Sequence, residues 1–408
     1  MRLVLAVLLT LLLLPAAARA ESWQASCVEG TDGPTCDFFT GVVDHVTDGD
    51  TLVVDLGDRV ERVRITGVQA MEQTVHGRDP LLRRGECHAL EATDRLEQLI
   101  AEAGGAVRVS AQDPNDHSGV RARRSVALWI GGQWVDVGST VISEGLALFL
   151  PNGREWAWNG RYSVLAQQAA AAGAGIWSTE SCAPGPPASL KVWVNANARG
   201  DDARHPEGEW VAIKNADPVA PIDLSGWWVR DSSLHRFTFT PGSIVAPGET
   251  VKVYVGPKDD GSLSFGVRKP LFENADTGGR ARGDGAYVFD PDGDLRAWQQ
   301  YPCRFACADP RAGAVRLRPL LRDGAVAIRN VAAVPVDLDG TRLVVRERDG
   351  ELATERAHEV GPGAVLAPGG EIRLAVGPLR AAGDVVRLET YDKIRIACAG
   401  WGDERCAV

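Results

Sequence analysis

The stretch VRITGVQAMEQ, residues 63–73, reads as a β-strand that passes through Gly67 into a turn. It delivers an amide and a carboxylate, Gln69 and Glu72, close together. Shortly before it stands DGDT, residues 48–51, two acids on a glycine turn. Oxygen donors gathered in this way suit a hard cation. Gln69 is the anomaly, because it brings an uncharged oxygen to the place where a second negative ligand is wanted.

Around this stretch, residues 37–178 mix strands with helices. FFTGVVDHV (38–46), TLVVDLG (51–57), RVERVRITG (59–67), AVRVSA (106–111) and SVALWIGG (125–132) are short, rich in β-branched residues and bounded by turn formers. A helix is predicted over 83–103, with Ala89, Leu90, Leu96, Leu99 and Ile100 on its apolar face. Two more are predicted over 134–145 and 155–173. Five strands with interposed helices predict a small α+β barrel of the OB type.

The stretch CAPGPPAS (182–189) reads as a linker, and beyond it the helical signal fades. The second half repeats itself. WVAIKNADPVAPIDLSGW (210–227) matches AVAIRNVAAVPVDLDG (325–340), and VAPGETVKVYVGP (245–257) matches LAPGGEIRLAVGP (366–378). Alternating apolar positions between Pro-Gly and Asp-Gly turns predict two antiparallel β-sandwiches. The division is therefore a leader at 1–20, a barrel at 37–180, a linker at 181–189, and sandwiches at 190–307 and 312–406.

Arg2, the apolar run LVLAVLLTLLLLP and the Ala18-Arg19-Ala20 cleavage signal make the first twenty residues a secretory signal peptide. The chain is expected outside the cytoplasm, where its eight cysteines pair. Spacing leaves the connectivity open. Local pairs close the shortest loops: Cys27 with Cys36, Cys303 with Cys307, and Cys398 with Cys406, leaving Cys87 with Cys182. No C-x-x-C pair occurs to suggest zinc. The net charge of −10 argues against general affinity for polyanions. Lysine is absent before Lys191, so phosphate contacts in the first half fall to arginine, as in Arg83-Arg84 and R-A-R-R at 121–124.

Cutting a phosphodiester needs a cation to offset charge, a base for water and donors for the phosphate oxygens. Asp50 supplies a hard ligand and Glu72 the base, while Arg64 and Arg124 can each make two hydrogen bonds to a phosphate. Asp-Gly-Asp alone is a common hairpin turn, and a strand arginine alone is a solvated charge. The combination in this order carries the information.

That combination resembles the thermonuclease family, the staphylococcal-nuclease-like domain. The resemblance rests on DGDT (48–51), R-I-T-G-V (64–68) followed by Glu72, G-E-C-H-A-L-E-A (85–92), Arg124 ahead of Ala127, E-G-L-A (144–147) and G-I-W-S (175–178). It implies a calcium-dependent endonuclease acting on DNA and RNA, with Asp50 as a calcium ligand, Arg64 and Arg124 on phosphate and Glu72 as general base. Two positions depart. Gln69 replaces a calcium-binding aspartate, and Ala70-Met71 replaces Thr-Pro. Calcium affinity follows ligand charge, so a site made of Asp50, Gln69 and the Ala70 carbonyl is expected to be weak. Arg121 and Arg123 either supply further phosphate contacts or belong to a solvated loop.

The repeats resemble lamin-tail domains through E-W-V-A-I-K-N (209–215), D-L-S-G-W (223–227), D-S-S-L-H-R-F-T-F (231–239), I-V-A-P-G-E (244–249) and D-P-D-G-D (290–294). This implies immunoglobulin-like sandwiches serving attachment or binding, with a cell-envelope or extracellular partner. The second copy is degenerate. D-P-D-G-D lacks EF-hand spacing and reads as a hairpin turn. Trp210, Trp227, Trp228 and Trp298 read mostly as core. The sequence thus predicts a secreted, metal-dependent nuclease with two accessory domains. The alternative is a non-catalytic nucleic-acid-binding or envelope protein on the same fold.

Overall fold

The computed structural model describes residues 22–406 apart from 78, 187, 198–203, 275–279, 350–351, 382 and 403. The expected leader lies outside the described residues. Among them, no helix is long and apolar enough to cross a membrane.

The first unit is built on β1 (Ser22–Ser26), β2 (Thr35–Asp48), β3 (Thr51–Asp55), β4 (Val60–Ile65) and β5 (Val68–Ala70). There follow β6 (Gln73–Val75), β7 (Arg84–Gly85), α1 (Ala89–Glu102), β8 (Ala106–Ala111), β9 (His117–Ser118), β10 (Arg121–Ile130), β11 (Gln133–Asp136), α2 (Val137–Ser143), β12 (Ala147–Phe149) and α3 (Asn159–Ala172). Strand β2 pairs with β3, β3 with β4, β4 with β10, β10 with β8, and β8 again with β2. Only the β4–β10 step of that circuit is parallel. Alternate residues turn inward, as the two-residue period of a strand requires. Leu52, Val54, Val63, Ile65, Val107, Val109, Val126 and Leu128 meet Leu96 and Leu99 of α1 and Tyr162 and Ala166 of α3 in one core.

Helix α1 begins later than the predicted residue 83. Arg84–Gly85 pair with Gln73–Val75 instead, and a Cβ at Gly85 would lie 2.7 Å from that of Ala89. Cys87 is bridged to Cys182, and His88 takes φ 66, a left-handed conformation through which no helix continues. Strand β10 begins at Arg121, so the R-A-R-R cluster is a strand rather than a loop.

The second half is two copies of one strand plan. In the first, β13 (Leu190–Asn195), β14 (Trp210–Asn215) and β19 (Thr250–Tyr254) form one sheet, and β15 (Ile222–Asp223) pairs with β18 (Ile244–Val245). The facing sheet runs β17 (Arg236–Thr238), β16 (Trp228–Arg230), β20 (Asp284–Phe289), β21 (Leu295–Tyr301). The second copy, from β22 (Val315–Leu320) to β30 (Arg395–Gly400), repeats the same three strand orders, element for element. The sequence repeat is thus a structural one. Each copy has its own core, around Val211, Trp227 and Phe272 in the first and Val326, Leu343 and Val386 in the second.

All four expected cystines form: Cys27–Cys36, Cys87–Cys182, Cys303–Cys307 and Cys398–Cys406. The linker is less free than its composition suggests. Asp294 accepts the amides of Ser181, Cys182 and Ala183 at 2.8–3.0 Å, and Arg296 donates to the Pro186 carbonyl. Although burial pushes the Asp294 carboxyl up, those amides hold it below its ordinary value. D-P-D-G-D is a hairpin turn, as expected, and its last aspartate is the anchor of the linker.

The units also share apolar surface. Met71, Leu148, Ile176 and Trp177 of the first pack with Trp228, Tyr287, Phe289 and Leu295 of the second. Trp210 meets Tyr391 of the third unit edge-on at 5.2 Å. Of the four tryptophans assigned to cores, Trp227 is inside a sandwich, whereas Trp210, Trp228 and Trp298 sit at boundaries between units.

Candidate functional site

The β2–β3 hairpin places Asp50. Its turn needs Gly49, since a Cβ there would lie 2.6 Å from Ala92 Cβ and 2.9 Å from Ala70 Cβ. The Asp50 carboxylate is buried. Oδ1 accepts from Arg64 Nη1 at 2.5 Å and from Thr51 Oγ1 at 2.9 Å, and Oδ2 accepts from the Ala70 amide at 3.0 Å. Burial pushes the Asp50 carboxyl up to about 7, against the pull of Arg64 and with the help of neighbouring Asp48.

Arg64 leaves β4 and bridges two of the expected metal ligands. Nη2 donates to Gln69 Oε1 at 2.6 Å and to the Val68 carbonyl at 3.3 Å. Gln69 in turn donates from Nε2 to the Ala70 carbonyl at 3.0 Å and to Glu72 Oε1 at 2.8 Å. The result is one continuous chain, Asp50–Arg64–Gln69–Glu72. The glutamine that looked out of place has a role in it. Its oxygen faces a guanidinium and its nitrogen faces a carboxylate, which an aspartate cannot do.

Beside the chain opens a cleft of about 320 Å³ lined by Arg64, Gln69, Glu72, Arg121 and Arg123, with Leu150–Asn152 along one side. Arg121 reaches Thr51 Oγ1 at 3.2 Å, and Arg123 lies 3.3 Å from Asp116. Arg124 is not in the cleft. It is buried on the other face of β10, with Nε on Glu61 at 3.1 Å and its remaining nitrogens on the carbonyls of Arg123 and Pro114. The cause is strand alternation. The register sets Arg123 beside Arg64 and Arg124 beside Ile65, so Arg121 and Arg123 share the cleft face and Arg124 takes the opposite one. Arg124, read from the sequence as a phosphate contact, therefore does not line the cleft, whereas Arg121 and Arg123 do.

Sequence reasoning missed the far wall. Ser233, Leu234 and His235, from the turn between β16 and β17, line the same cleft. Nothing in local sequence ties residues 231–235 to residues 48–72, because the juxtaposition depends on how two units dock. Arg83 is elsewhere, paired with Glu97 at 2.7 Å, and His76 reaches the Thr47 carbonyl. Cys87, His88 and Cys182 form the only compact ligand group among the described residues, but both sulfurs are in a disulfide and His88 is bonded to Glu91 and Ser181.

No curated protein matches the chain. The family model of the Lamin Tail Domain matches residues 189–303, a range that stops short of the cleft's own strands. It covers β13 through β21, and the first sandwich is accordingly a lamin tail domain of immunoglobulin-like fold.

Proposed function

We propose that residues 37–180 are an OB-type barrel of the thermonuclease kind, and that its cleft hydrolyses phosphodiester bonds of DNA or RNA in an exported protein. The observation that carries this reading is a carboxylate, Glu72, opening on the same cleft as Arg64, Arg121 and Arg123. The arginines offer forked donors for the non-bridging oxygens of a phosphate. Glu72 is placed to take the proton of an attacking water, and its hydrogen bond from Gln69 fixes the carboxylate.

Asp50, Gln69 and the Ala70 carbonyl fit a weakly held calcium ion. The Asp50 and Gln69 oxygens already converge on a cation, the Arg64 guanidinium, and the set contains one carboxylate. Calcium held there would offset charge on the phosphate. Weak sites of this kind have dissociation constants of about 10⁻⁴–10⁻³ M. Gln69→Asp adds a carboxylate, and calcium is expected to bind about tenfold tighter or better. Activity at low calcium should rise with it. Calorimetry on the chain without residues 1–20 reads the first, and cleavage of a labelled oligonucleotide over a calcium series reads the second. Unchanged calcium affinity would remove Gln69 from the ligand set.

The non-catalytic reading has one observation in its favour. The Asp50–Arg64–Gln69–Glu72 chain is hydrogen-bonded from end to end without metal or substrate. Under that reading oligonucleotide binds and stays whole in wild type and Gln69→Asp alike.

A further inference from the structure

The wall contributed by the lamin tail domain is built rather than incidental. Arg230 is buried and spends its guanidinium on the carbonyls of Asp231, Ser232 and Ser233, fixing the path of the loop. The Ser232 amide is held by Asp284 at 3.1 Å. Asp231, also buried, accepts from Ser233 Oγ at 2.6 Å and from the His235 amide at 3.2 Å. Its Oδ2 lies 2.8 Å from His235 Nδ1. Arg236, the next residue, pairs with Glu86 at 3.7 Å, and the other oxygen of Glu86 takes the Glu72 amide at 3.2 Å. The loop and the base of the cleft are therefore tied to one acidic side chain.

A carboxylate can only accept, so Asp231 fixes the proton on Nδ1 and orients the ring. Nε2 has no hydrogen-bond partner among the described residues, and the ring borders the cleft with 37% of its side chain exposed. The charged groups around it are Asp231 and Arg230 from its own domain, and Glu72, Arg64, Arg121 and Arg123 from the other.

We propose that His235 is a substrate-contacting residue: Nε2 donates a hydrogen bond to a phosphate of a nucleic-acid strand held between the two domains, so that the lamin tail domain completes the site. For such a contact both ring nitrogens serve as donors, Nδ1 to Asp231 and Nε2 to the phosphate. The inference rests on the phosphodiester reading. It makes the accessory domain part of the binding surface rather than a tether alone.

The test uses the whole chain without residues 1–20 and a short single-stranded oligonucleotide. His235→Ala should raise KM about tenfold, the loss expected for one hydrogen bond to a charged group, and leave kcat within about twofold. His235→Gln, which keeps a donor near the Nε2 position, should recover most of that loss. A second readout needs no turnover: in wild type with labelled histidine, inorganic phosphate should shift the His235 ring resonances. An unchanged KM in His235→Ala, or ring resonances indifferent to phosphate, would overturn the proposal. Should the chain cut no nucleic acid, the phosphodiester reading fails, while the phosphate titration still decides the His235 contact.

Discussion

Glu72→Gln is expected to slow phosphodiester cleavage by about 10²–10⁴-fold, the usual weight of a positioned general base. The substitution keeps size and shape. The backbone amide of residue 72 stays on Glu86, and the new amide oxygen can still accept from Gln69 Nε2. What disappears is the ability to take a proton. KM should stay near wild type, because the proposed phosphate donors, Arg64, Arg121 and Arg123, line the cleft and are not changed by the substitution. A partly exposed residue changed isosterically should alter stability by no more than about 0.5 kcal/mol. Steady-state kinetics on an oligonucleotide, with a melting curve beside them, read both. Equal rates in wild type and Glu72→Gln would place the base elsewhere.

Ending the chain after Cys182 is expected to yield a first unit that melts well below the full chain and tends to aggregate. Separable units would be the natural reading of a Pro-rich linker, but the linker here is held to the lamin tail domain by Asp294 and Arg296. The cut also uncovers a shared core. Trp177, now packed on Tyr287 and Trp298 with centroids 6.0 and 5.3 Å away, would face water together with Met71, Leu148 and Ile176. Each large apolar side chain fully uncovered costs about 1.5–3 kcal/mol, so several together are a large part of a domain's ordinary stability of about 5–15 kcal/mol. Polar ties go as well. Gln167 loses its bonds to the Pro302 carbonyl and to the Arg304 and Phe305 amides. Circular dichroism melts of the fragment and of the full chain decide the matter. Coincident melts would mean that the shared surface contributes nothing.

Much of this was legible in the sequence because it is periodic or local. The strands lie where alternation put them, the repeat at 210 and 325 became two copies of one strand plan, and cysteines close in sequence paired with each other. What was not legible depends on register or docking. R-A-R-R offers arginines on both faces of a strand, and only the pairing of Arg123 with Arg64 shows which face meets the cleft. The start of α1 was misplaced because nothing local in residues 83–88 shows that β6 recruits Arg84 and Gly85 into a two-stranded pair. Trp228, buried, and Trp298, partly buried, look like core residues, yet the core they join lies between units. His235 belongs to the same class. Its neighbours in the cleft lie far from it in sequence, and no local pattern announces them.

The most direct test of the central claim is digestion of single-stranded and duplex DNA and RNA by the purified chain without residues 1–20, with millimolar calcium and with chelator. The account predicts cleavage that is strongest in calcium and lost in Glu72→Gln. Intact substrate under every condition, with oligonucleotide still bound to the protein, would contradict it and leave a binding protein in its place.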